Sequence, residues 1–191
     1  MLHELRFKKD FRCWKSGDKV EFLPGINLIV GDQGTGKSSL IAAIAAACNA
    51  KQFHYPLGLE NKVEILAGRS VAGGFDFERD NPRVQSVFND NIHFHISTKL
   101  SSHGETNIAI LKSLTQQRDK VIFLDGPDVG LSIRSVTKVV TMFKEARINN
   151  CQIIAAIHHP FLMKAFPDVY SCEHRKWMNS DQFIATQLGE L

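Results

Sequence analysis

The chain has 191 residues, 43% of them hydrophobic and 23% charged, with a formal net charge of +3. These values fit one domain with a real core, and they exclude a transmembrane helix, because the longest apolar stretch, Leu40 to Cys48, is about half a span. The small positive charge permits nucleic-acid contact without arguing for it.

The N-terminal residues Met1 to Arg6 lack the basic-then-apolar layout of a signal peptide. Leu2–Phe7 and Val20–Leu23 read as strands flanking a polar turn at Ser16-Gly17-Asp18. Lys8, Lys9, Arg12, Lys15 and Lys19 form the densest basic cluster, which reads as a solvated edge hairpin. Pro24-Gly25 punctuates before Ile26–Val30, an apolar, β-branched run with the character of a buried strand.

The next nine residues are Gly31-Asp32-Gln33-Gly34-Thr35-Gly36-Lys37-Ser38-Ser39. They fit G-x-x-x-x-G-K-[ST], the phosphate-binding P-loop. Leu40–Ala47 follows as a helix, so strand, glycine loop and helix come in the required order. Glycines let successive backbone N–H groups converge on an anion, and the helix N-terminus adds partial positive charge. Lys37 has the reach for the outer phosphates, and the Ser38 hydroxyl suits Mg²⁺.

Lys62–Ala67 alternates as a half-exposed strand, with Gly73–Glu78 expected as its hairpin partner. Between Ser86 and Lys99 only Ile92–Ile96 has strand character. Ser102 and Glu105 fit the N-cap and N3 positions of a capping box opening a helix marked by Ile108, Leu111 and Leu114. That helix start, with a serine and a glycine, also suits an anion. Lys120–Asp125 reads as a buried strand ending in a carboxylate that can hold Mg²⁺ through water. Val136, Val139, Val140 and Phe143 mark another helix, and Gln152–Ile157 another buried strand. Helices alternating with buried apolar strands imply a parallel sheet covered on both faces. Phe183–Thr186 is expected as a last strand.

Cys13, Cys48, Cys151 and Cys172 show no paired spacing, which points to a reducing cytoplasm with neither disulfide frame nor zinc site. Cys48 and Cys151 are expected as buried thiols, and Cys172-x-His174 as a surface accident, since no matching half-site exists.

The order of motifs is P-loop, Ser-His-Gly-Glu, Leu-Asp-x-Pro, Leu-Ser, then His before Pro. In this the chain resembles the ABC-type ATPase superfamily. Phe11–Trp14 and Val20–Asn27 are similar to the RecF, OLD and structural-maintenance-of-chromosomes (SMC) branch, and the later segments resemble its small ATPases. The resemblance spans about residues 1–170. It implies a P-loop NTPase of α/β class: a mainly parallel central sheet plus an N-terminal antiparallel β-region, one domain over residues 1–191. ATP and Mg²⁺ are the implied cofactors. Gly31, Asp32, Gln33, Gly34, Thr35, Gly36, Lys37, Ser38 and Ser39 would wrap the phosphates, with Ser38 and Asp125 on the metal. Ser102, Gly104 and Glu105 would form the signature that meets a partner subunit's γ-phosphate. Leu131-Ser132 would sit at the dimer seam, and His158 would sense the γ-phosphate. Arg12 matches a position that approaches the nucleotide. Gln85 stands for the Q-loop glutamine only by lying between P-loop and signature.

One departure from the family pattern and one spacing matter. The family reads Leu-Asp-Glu-Pro-Glu where this chain has Leu124-Asp125-Gly126-Pro127-Asp128, so the glutamate that polarises the attacking water is missing. Hydrolysis is therefore expected to be slow unless Asp128 or His158 substitutes, and Gly126→Glu is expected to restore rate. Only 64 residues separate Lys37 from Ser102, too few for a coiled-coil arm. The favoured function is an ATP-dependent homodimerising switch with weak ATPase activity, acting on a protein effector or nucleic acid and without a membrane role. A competent ATPase and a non-hydrolysing module that pairs with a partner are the alternatives.

Overall fold

The computed structural model describes residues 1–50, 53–68, 71–80 and 103–189. Two sheets clasp one helix. The smaller sheet is antiparallel, in the order β2-β1-β4, from β1 (Leu2–Phe7), β2 (Lys19–Glu21) and β4 (Val63–Ala67). The larger has the order β5-β6-β7-β3-β8-β9, from β3 (Ile26–Val30), β5 (Val71–Asp76), β6 (Lys120–Asp125), β7 (Gln152–Ala156), β8 (Asp168–Ser171) and β9 (Lys176–Asn179). Its first five strands run parallel, and only β9 is antiparallel.

Helix α1 (Lys37–Ala47) lies between the sheets, and its composition explains why. KSSLIAAIAAA is apolar on every side, which only a helix covered on both sides tolerates, and its alanines allow close approach. One core cluster joins Leu5, Phe7, Trp14 and Val20 to Leu40, Ile41 and Ile44, and through them to Phe123 and Ile154 of the large sheet. The opposite face is covered by α2 (His103–Thr115), α3 (Ile133–Ile148), α4 (Pro160–Lys164) and α5 (Ser180–Leu188), around Leu28, Leu124, Val139, Phe143 and Ile153. Buried Gln152 locks the two sheets together. Its Oε1 accepts from Leu2 N at 2.7 Å, and its Nε2 donates to the carbonyls of Leu2 and Leu23.

Two expectations are corrected. Val71–Asp76 is not the hairpin partner of β4. It pairs in parallel with β6, because β1 occupies the β4 edge and the chain crosses to the larger sheet. Phe183–Thr186 is helical, within α5, because the Asn179 side chain caps the N-terminus and Gly189 closes the C-terminus at φ 71°. The Ile92–Ile96 strand lies outside the described residues. No helix among the described residues is long and apolar enough to cross a membrane.

Candidate nucleotide site

The carboxyl ends of β3, β5, β6 and β7 converge on a cleft of about 550 Å³, lined by Arg12, Cys13, Gln33, Gly34, Gly36, Lys37, Ser38, Ser39, Glu78, Asp125, Gly126 and His158. Crevices at strand carboxyl ends are where open α/β sheets bind ligands.

The P-loop wall is braced from outside the motif. Trp14 is fully buried, stacks on Phe7 with ring centroids 4.9 Å apart, and donates from Nε1 to the Gly36 carbonyl at 3.1 Å. Arg175 lies over its other side, guanidinium carbon 3.5 Å from the ring centroid, and donates to the Cys13 carbonyl. Gly36 is glycine for two reasons. Its φ is 104°, and a Cβ there would come 2.8 Å from Trp14 Nε1. Glu173 accepts from Asp32 N at 2.8 Å and from Gln187 at 2.9 Å, tying the loop to α5. Thr35 Oγ1 closes the turn on the Asp32 carbonyl at 2.8 Å.

Lys37 is 5% exposed, and its Nζ donates to the carbonyls of Gly31 and Asp32 at 2.7 and 2.9 Å. Burial pulls its pKa down, against the raising influence of Cys172, Asp125 and Asp32. Arg12 adopts a left-handed backbone, φ 55°, and donates to Ser39 Oγ at 3.2 Å, which turns its guanidinium to the cleft.

The opposite wall is acidic. Ser38 Oγ donates to Asp125 Oδ1 at 3.2 Å. Burial pushes the Asp125 carboxyl up to about 7, and Asp76 and Glu78 push it the same way against Ser38 and Lys37. A hydroxyl and a half-buried carboxylate form a donor pair that suits a hard divalent cation, and Asp76 and Glu78 add negative charge nearby. Asp76 faces Asp125 across the parallel β5–β6 register. Asp76 Oδ1 accepts from the N–H groups of Glu78 and Arg79, while Phe77 N donates to the Asp125 carbonyl at 2.9 Å.

His158, assigned from the resemblance alone, follows β7 and lines the cleft. Asp128 does not line it. Its side chain is buried, and Oδ2 accepts from His158 N at 2.7 Å and His159 N at 2.5 Å. Gly104 packs beside Gly130 and Leu131, and Asn107 donates to the Val129 carbonyl at 3.1 Å, so the start of α2 is joined to the loop after β6. Glu105 lies in the first turn of α2. Gln85 and Ser102 fall outside the described residues.

Local geometry weighs against the expected gain from Gly126→Glu. Gly126 has φ 64°, and a Cβ there would meet Val129 Cγ2 at 2.9 Å. Cys172 is also no surface group. It is buried, which pushes its thiol up to about 12, while His174 Nδ1 pairs with Ser171 Oγ. Cys151 is buried as expected, and Cys48 is partly so. Sequence reasoning missed Trp14, Glu173 and Arg175 as braces and Glu78 as a lining residue. The tryptophan in Phe11-Arg12-Cys13-Trp14 was a usable signal; the other three depend on tertiary register.

The AAA_23 family, described as an AAA domain, matches residues 9–147. The chain belongs to this family. It is similar to the structural maintenance of chromosomes protein 3 homolog of Plasmodium falciparum (isolate 3D7), at 32% identity over 88 residues, 41% of this chain. It spans only 7% of the length of that relative. Its fold is shared with the SMC head domain from Thermotoga maritima, with a TM-score of 0.56 and 16% identity over 89% of this chain and 94% of that one. It is shared equally with a nucleotide-free ATP-binding cassette from an ABC transporter, at TM-score 0.61 and 13% identity over 99% and 96% of the two chains. The chain is thus an AAA_23 domain with the fold of ATP-binding cassettes and SMC heads.

Proposed function

We propose that this AAA_23 chain is a single nucleotide-binding domain over residues 1–191 that works as an ATP-dependent switch in the cytoplasm. It binds ATP with Mg²⁺, pairs head-to-tail with a second copy, and hydrolyses slowly. The observation that carries this reading is one cleft shared by Arg12, the P-loop, the Ser38–Asp125 pair and His158, with no side chain at residue 126. Gly31 to Ser39 wrap the phosphates, Ser38 and Asp125 hold Mg²⁺, and His158 faces the γ-phosphate. Bound Mg²⁺ offsets phosphate charge and orients the oxygens for in-line attack.

Dimerisation follows from the signature. Ser102, Gly104 and Glu105 serve only when they cap a second subunit's nucleotide, so each copy gives one patch and receives the other about a two-fold axis. The packing of Gly104 on Gly130 and Leu131 supports this, since it makes one block of the signature helix and the loop expected at the seam. A protein effector is favoured over nucleic acid, because Lys15 pairs with Asp10 at 3.1 Å and Lys19 with Glu21 at 2.7 Å, spending charge locally.

The test is light scattering at high protein concentration with and without ATP–Mg²⁺. The mass is expected to double with ATP in wild type and to stay monomeric in Lys37→Ala and Ser102→Arg. A wild-type mass that ignores ATP overturns the switch.

A further inference from the structure

Resting on the ATPase reading above, we propose that Glu78, carried on the loop after β5, is the base that activates the attacking water in place of the residue missing at Gly126. Among the described residues, the cleft contains one carboxylate beside the metal ligand that is neither buried nor committed to the backbone. Asp125 is bonded to Ser38, Asp76 Oδ1 accepts two N–H groups of its own turn, and Asp128 is buried against the N–H groups of His158 and His159. Glu78 is exposed to the cleft, and among the described residues its carboxylate forms no ion pair.

Its position answers the loss at residue 126 directly. A Cβ built on Gly126 would lie 3.8 Å from Glu78 Cγ. The Glu78 side chain therefore lies in van der Waals contact with the space that a side chain at 126 would enter. The approach is fixed by backbone. Asp76 sits opposite Asp125 in the β5–β6 ladder, Phe77 N is bonded to the Asp125 carbonyl, and Glu78 N is bonded to Asp76 Oδ1 at 3.1 Å. Buried Phe77 anchors the turn between them. The left-handed backbone of Gly126 and the crowding from Val129 keep that space free of any side chain from β6.

The chemistry balances without a further reactant. The water oxygen forms a bond to the γ-phosphorus as the bond to the β,γ-bridging oxygen breaks, and the electron pair of that bond stays on ADP. The water proton passes to the Glu78 carboxylate and then to solvent. Because the base reaches in from a neighbouring loop and not from the strand that holds the metal, turnover is slow yet not absent.

The test is single-turnover hydrolysis of ATP–Mg²⁺ beside equilibrium binding of a fluorescent ATP analogue, for wild type, Glu78→Gln, Glu78→Ala and Lys37→Ala. Both Glu78 variants are expected to lose about 100-fold or more in the hydrolytic step. Their affinity for the analogue is expected to stay within about threefold of wild type, the pattern of an interaction made only in the transition state. Glu78 variants that hydrolyse at the wild-type rate overturn the assignment. So do variants whose affinity falls as far as their rate, and so does a wild type that binds ATP without turnover. Failure of the ATPase reading itself looks different: nucleotide affinity is then absent in wild type or indifferent to Lys37→Ala.

Discussion

The P-loop wall of the cleft and the wall at the ends of β5 and β6 face the same space but are held by different forces. The first keeps its shape through ring stacking, a guanidinium over Trp14, and hydrogen bonds that reach the loop from Trp14 and Glu173. The second gathers Asp76, Glu78 and Asp125, and their mutual repulsion raises Asp125 further than burial does alone. A wall braced by packing is ready before ligand arrives. A wall of like charges would be completed by a bound cation, so the comparison separates preorganisation from charge neutralisation.

Lys37→Ala strikes the braced wall hardest. It removes the buried cation proposed to face the phosphates and is expected to cost about 2–5 kcal/mol in ATP affinity. Calorimetry giving equal affinities for variant and wild type would erase the distinction between the walls.

The acidic wall predicts a pH signature in the metal-free protein. The folded pKa of Asp125, about 7, lies above its ordinary 3.8. Its contribution to stability is therefore fully present below the lower value and is lost as pH rises through 7. Asp125→Asn removes this loss, so the variant is expected to overtake wild type in urea unfolding at pH 8 and not at pH 4. Mg²⁺ added to wild type narrows the gap, and a gap independent of pH would show that the wall carries no charge strain.

Asp128→Ala tests a brace that belongs to neither wall. It removes the acceptor of the part-buried N–H groups of His158 and His159 and is expected to destabilise the fold by about 2 kcal/mol. The hydrolytic step should fall far less than in Glu78→Gln. An equal collapse would return the role of base to Asp128. Gly126→Glu, with a left-handed backbone and Val129 in the way, is expected to cost about 1–2 kcal/mol of stability and to bring no gain in rate. A clear rise in rate would mean that the loop after β6 yields readily, so that the acidic wall, too, is soft.

The legibility of this site in the sequence follows from which contacts are local. Gly31 to Ser39 and Asp125 were readable because a P-loop and a strand end are fixed by short-range spacing, whereas His158 was reached only through the resemblance. The acidic wall was half visible. Asp125 closes an apolar run, but Asp76 and Glu78 meet it only through parallel pairing of strands almost 50 residues apart, which no local pattern encodes. Gly73–Glu78 looked like a hairpin partner for the same reason: the competing edge, supplied by β1, is remote in sequence. Helix α5 was misread although its cues were present, with Asn179 at the cap and Gly189 past the end, because Phe183-Ile184-Ala185-Thr186 has strand composition.

The setting of Trp14 makes the P-loop optically readable. The chain has two tryptophans. Trp177 is seated on the Glu21 carbonyl beside Tyr170, whereas the Trp14 indole is hydrogen-bonded to the loop carbonyl of Gly36 and capped by a guanidinium. Its emission therefore depends on the electric field of the loop. A Trp177→Phe chain carries a single built-in fluorophore at the proposed phosphate cradle, and stopped-flow traces from it are expected to follow loading and release of nucleotide with no dye attached to either.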